Sequence, residues 1–162
     1  MKNTILAFCC ILLQQPLFAE NKDWLIDGSP YKTEVNLSSD KKQIELTNGL
    51  LRRSFSLTPN GATIALDNLM TGQNELRAVR PEAVLVINGN EYPVGGLEGQ
   101  PVHNFLTKDF LSGLQLCDSA FVLAGYTVSE TKERFPWKPN EAWISNRYPW
   151  PVPGKRITFT YR

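Results

Sequence analysis

The dipeptide Asn48-Gly49, set inside Gln43–Leu57 (QIELTNGLLRRSFSL), constrains this chain more than any other feature. Asn-Gly between two alternating apolar runs specifies a β-hairpin, because a type I′ turn needs positive φ at both central residues. Ile44 and Leu46 share one face of the first arm. On the second arm Leu51, Arg53, Phe55 and Leu57 share one face, and Leu50, Arg52, Ser54 and Ser56 take the other. A slip of one residue sends Phe55 and Leu57 into water, so the register is well specified.

The rest of the chain repeats this theme. Thr58-Pro59-Asn60-Gly61 reads as a turn and Ala62–Asp67 as a strand. Asn68–Gln73 turns again. Ala83–Ile87 (AVLVI) is an unbroken apolar run of the kind found in strands buried on both faces, and Asn88-Gly89-Asn90 follows as its turn. Ser119–Ser129 alternates, and Lys155–Arg162 places Ile157, Phe159 and Tyr161 on one face. Phe105–Leu116 is compatible with a short helix or a strand. Short strands, frequent Gly and Asn turns and no long helical period predict an all-β fold, an antiparallel β-sandwich with few or no helices. Residues 43–162 form the expected sandwich module. Residues 20–42 read as a polar leader in which Trp24, Leu25 and Ile26 tuck against the domain edge.

Residues 1–19 have the plan of a secretory signal peptide: Lys2, the apolar run Ile5–Leu13, a break at Gln14-Gln15-Pro16, and Ala19 as the cleavage position. The run is too short to span a bilayer. Phe8 argues against lipidation at Cys9 or Cys10. The expected location is secreted or periplasmic, with no membrane span. The chain carries 17 Lys and Arg against 16 Asp and Glu, and loss of Lys2 with the signal makes the counts equal. No basic cluster exists beyond Arg52-Arg53, which alternation places on opposite faces, so nucleic-acid binding has no electrostatic support. Cys117 stands alone after signal removal, which rules out an internal disulfide, and it reads as a small buried apolar residue. Ending in a strand-like alternation, the chain reads as a module truncated at its C-terminus.

Catalytic motifs are absent. His103 is the single histidine, so a histidine metal cluster cannot form and no metal or other cofactor is expected. A triad would have to use His103, yet no nucleophile-elbow pattern accompanies it. Glycoside hydrolysis needs two carboxylates across the scissile bond, and the spacing of the acids pairs no two of them. Gly95-Gly96-Leu97-Glu98-Gly99 opens no helix after a parallel strand, so close backbone approach explains it better than phosphate binding. The aromatic segment has more to offer. Phe135, Trp137, Trp143, Tyr148 and Trp150 alternate with Pro136, Pro139, Pro149, Pro151 and Pro153. Flat aromatic faces without dense charge suit sugar rings, and they equally suit a core or a domain interface.

LTNGLLRRSFSL, ATIALDNLMTGQNELRAVRPEA and YPVGGLEGQP, in that order, resemble the N-terminal, galactose-mutarotase-like β-sandwich region of secreted α-galactosidase (melibiase) type glycoside hydrolases of Bacteroidetes. The resemblance spans about Ile44–Arg162. It implies a partial supersandwich that accompanies a catalytic TIM barrel, and the barrel with its catalytic aspartates is absent from this chain. No catalytic residue is therefore assigned. The expected function is a non-catalytic module of a carbohydrate-active enzyme, with Trp137, Trp143 and Trp150 as candidate carbohydrate-binding residues and an oligosaccharide as ligand. The alternative is a stand-alone carbohydrate-binding or surface adhesion module. A small hydrolase built on His103 is a third reading.

Overall fold

The computed structural model describes residues 23–101, 106–138, 140, 142–143 and 150–162. Residues 1–22, which include the expected signal peptide, as well as His103 and Tyr148 lie outside the described residues. The described residues form nine strands and one short helix: β1 Glu34–Leu37, β2 Gln43–Thr47, β3 Leu51–Ser56, β4 Ala62–Asn68, β5 Gln73–Asn74, β6 Ala83–Ile87, β7 Asn90–Val94, α1 Lys108–Leu111, β8 Leu123–Glu130 and β9 Lys155–Tyr161. β1 to β5 form one antiparallel sheet in chain order, while β6–β7 and β8–β9 are separate two-stranded ribbons. All three sheets are antiparallel, as expected from the alternation. Among the described residues no helix is long and apolar enough to cross a membrane.

The organising hairpin forms with Ile44 opposite Phe55 and both buried. Its turn differs from expectation by one residue. The β2–β3 register pairs Thr47 with Arg52, which makes Gly49 and Leu50 the central pair, and only Gly49 (φ +82°) has positive φ. That is the requirement of a turn with glycine at the first central position, as in type II′. Asn48 acts through its side chain instead, with Oδ1 accepting the N–H of Leu50 and of Leu51. The type I′ pattern appears in the β6–β7 hairpin, where Ile87 pairs with Asn90 and both central residues, Asn88 (φ 51°) and Gly89 (φ 81°), are left-handed.

Two further expectations are corrected. Residues 20–42 are not wholly a leader outside the fold, because β1 lies within them as the edge strand of the main sheet. Trp24, Leu25 and Ile26 do not tuck in; all three are exposed. β6 is not buried on either face. Every residue from Ala83 to Ile87 is exposed, with Val86 at 66%. Among the described residues β6 pairs only with β7, which leaves its other edge open.

Burial is concentrated around β3 and β4. Phe55 of the main sheet packs on Phe159 of β9 with ring centroids 5.0 Å apart, the sheet-on-sheet contact expected of a sandwich. Ala62 and Ile64 join Val79, Leu97 and Leu114 in a buried apolar cluster. Ile64 is the extra residue of a β-bulge, since Phe55 pairs with Thr63 and Ser54 with Ala65. Thr63 faces a polar group, where its Oγ1 accepts from Arg53 Nε at 3.0 Å and its N–H donates to Glu82. Arg53 also pairs with Glu82 at 2.7 Å and lies 4.7 Å above the Phe55 ring. Arg52, on the opposite face, pairs with Asp67 at 2.8 Å. Both arginines thus have structural partners, as their alternation implied.

Asn60 is the hub of this region. Sequence reading places it in a surface turn, yet it is 0% exposed. Its Oδ1 accepts the N–H of Gly61 and of Leu123, each at 2.8 Å, and its Nδ2 donates to the Phe121 carbonyl. The same carbonyl accepts from Gly95, and Gly96 donates to the Gly61 carbonyl. One buried amide therefore joins the β3–β4 loop, the end of β7 and the start of β8. A buried amide so placed replaces the water bonds that each of those backbone groups would otherwise lose.

Candidate carbohydrate-binding site

The aromatic segment is the connection between β8 and β9, running from Thr131 to Gly154. A connection of this length is uncommon inside a compact domain, and such loops usually carry function. Its base is closed firmly. Thr131 N–H donates to the Gly154 carbonyl, Thr131 Oγ1 donates to the Val152 carbonyl, and Lys155 pairs with Glu130 across the last rung of the ribbon. The ribbon is in turn anchored to the main sheet through Phe159. The loop is thus held at both ends by a rigid element, while its aromatics project outward.

Trp137 and Trp150 come together with ring centroids 4.8 Å apart and planes at 53°. Phe135 adds to the group at 6.0 Å from Trp150. These separations lie in the favoured range for edge and offset aromatic contacts. Mutual contact leaves much of each ring uncovered: Trp137 is 37% and Trp150 40% exposed, and Phe135 is exposed further still. Trp143 stands apart. It is 84% exposed and, among the described residues, contacts no other ring. Of the three tryptophans singled out in the sequence, two share one site and the third does not.

Beside Trp150 lies a notch of about 220 Å³. Phe135, Trp150, Pro151 and Val152 line it together with Thr131, Lys132 and Arg134, and the surface it presents is almost wholly apolar. The volume is below the ~300 Å³ at which small-molecule pockets usually begin. A ligand here would lie on the rings rather than be engulfed by them. Exposed ring faces supply contact to the apolar C–H surfaces of a ligand. Phe135 was read as part of the aromatic segment but not as a ligand contact, and Thr131, Lys132 and Arg134 were not singled out in the sequence; their proximity depends on the β8–β9 pairing that brings Thr131 back to Val152.

Charge perturbations lie away from this loop. Asp40 is held below the usual carboxylate range by the Ser38 hydroxyl and the Lys42 N–H. Arg52 is pushed up by its Asp67 partner. Burial pushes the Tyr161 phenol up, and the Glu82 charge adds to the effect. None of the three belongs to an acid–base pair set across a cleft, the arrangement hydrolysis requires. No protein-family model, curated protein or solved structure matches the chain.

Proposed function

We propose that this chain is a non-catalytic β-sandwich module of an exported carbohydrate-active protein, holding saccharide on the Phe135, Trp137 and Trp150 surface of its β8–β9 loop. The observation that carries the reading is the exposure of three large aromatics, clustered beside an apolar notch on a long loop whose base is closed by hydrogen bonds. Leaving such rings in water is unfavourable, and contiguous exposed apolar surface commonly marks an interaction site. The ring tilt favours a chain whose successive sugars turn relative to one another over a flat, ribbon-like one.

The exposed apolar β6 supports the accessory role. A companion domain, a catalytic barrel in the α-galactosidase-type resemblance, would cover Val84, Leu85, Val86 and Ile87. A stand-alone binding or adhesion module gains nothing from leaving them in water.

The test is calorimetric titration of the chain with neutral galactose-containing and glucose-containing oligosaccharides. Trp150→Ala is expected to weaken binding about 10- to 30-fold, the worth of one well-packed aromatic contact. Trp143→Ala is expected to leave affinity unchanged. Absence of binding to any oligosaccharide by the unaltered chain refutes the saccharide reading.

A further inference from the structure

A larger cleft of about 590 Å³ opens between residues 77–81 and 95–101, within the usual range of small-molecule sites. Val79 and Leu97, both buried in the apolar cluster, lie at its base. Its shape is fixed by specific bonds. Gln100 Oε1 accepts the Val79 N–H and its Nε2 donates to the Arg77 carbonyl, which ties the two walls together at one end. At the other end Gly96 (φ +85°) passes against Pro81 so closely that a Cβ would sit 2.7 Å from the Pro81 backbone. Two arginines, Arg77 and Arg80, and one acid, Glu98, contribute the charge of the lining. Arg80 is exposed and makes no ion pair among the described residues.

We propose that this cleft binds the carboxylate of an acidic sugar residue, with Arg80 as the anion anchor. A guanidinium fork matches a carboxylate in two parallel hydrogen bonds. Glu98 selects among anions: a carboxylate offers only acceptor atoms, so it receives hydroxyl donors and repels a doubly charged phosphate. A hydroxylated monocarboxylate of sugar size meets both demands. The site is separate from the aromatic loop and does not rest on saccharide binding there.

Cys117 lines the same cleft and is partly exposed, which makes it a built-in reporter. The experiment follows alkylation of Cys117 by neutral iodoacetamide, read by peptide mass spectrometry on the full chain. Galacturonate trimer, neutral galactose trimer and inorganic phosphate serve as probes. The galacturonate trimer is expected to slow alkylation saturably, and the other two to leave it unchanged. Arg80→Gln, a change at an exposed position, is expected to raise the half-protecting concentration about 10- to 100-fold, the worth of a charged hydrogen-bonded contact. Trp150→Ala is expected to leave that concentration unaltered. Absence of protection, equal protection by phosphate or by the neutral trimer, or an unchanged Arg80→Gln response each overturns the proposal.

Discussion

Replacing Asn60 with alanine tests whether one buried amide joins the three parts of this fold. The substitution removes the acceptor of the Gly61 and Leu123 N–H groups and the donor to the Phe121 carbonyl. Phe121 keeps its bond from Gly95, so the principal loss is the acceptor of two donors, the buried Gly61 N–H and the part-buried Leu123 N–H. Each costs about 1–3 kcal/mol, and a total of about 2–6 kcal/mol follows. That is a large share of the ~5–15 kcal/mol that stabilises an ordinary domain. Urea unfolding followed by tryptophan fluorescence should show a lower midpoint at unchanged slope. The thermal midpoint should fall by about 10 °C for a chain of this size. Asn60→Asp supplies the complementary measurement. It keeps the acceptor but buries a charge beside the Phe121 carbonyl, which raises the carboxyl pKa. The acid then binds its proton more tightly folded than unfolded, so stability falls as pH rises above about 4 and recovers on acidification. A loss below about 1 kcal/mol for Asn60→Ala, or a pH-independent Asn60→Asp, would refute the hub.

Tyr161 has its pKa raised in the folded state, so the stability it contributes is complete below the ordinary phenol value near 10 and is lost as pH rises through the folded value. Tyr161→Phe should therefore flatten the alkaline limb of a stability–pH curve measured between pH 8 and 12. Gly96→Ala is expected to destabilise by about 1–3 kcal/mol in chemical denaturation, because positive φ and the 2.7 Å approach to Pro81 both oppose a Cβ. Val86→Lys, on the exposed strand β6 with its open edge, should suppress concentration-dependent association of the isolated chain in light scattering while leaving its thermal midpoint within a few degrees, as a charge on an open sheet edge does.

The residues show why some of this architecture was legible in the sequence and some was not. Period-two alternation carried β2, β3 and β9, because Ile44, Phe55 and Phe159 can be buried together only in one register. Turn chemistry was legible to within one residue: Asn48-Gly49 and Asn88-Gly89 are the same dipeptide, yet only the second sits at the two central positions. What separates them is the register of the flanking strands, a tertiary choice. The run AVLVI announced a strand correctly but not its surroundings, since an apolar side chain does not state which element will cover it. Asn60 looked like turn chemistry because asparagine is common in turns, and its burial depends on Phe121 and Leu123, some sixty residues away. The aromatic cluster was visible as composition. That Trp137 and Trp150 meet while Trp143 does not follows from how the β8–β9 base folds the loop, which no local spacing encodes.

The tilted Trp137–Trp150 pair is the proposed saccharide surface. The most direct measurement follows the indole N–H resonances of the tryptophans, assigned by single substitution, while a neutral oligosaccharide is titrated into the chain. Saturable shifts at Trp137 and Trp150 with one shared affinity, and a stationary Trp143, are expected. Resonances of Trp137 and Trp150 that stay fixed while the oligosaccharide binds elsewhere, or that fail to move at any concentration, would contradict the saccharide reading.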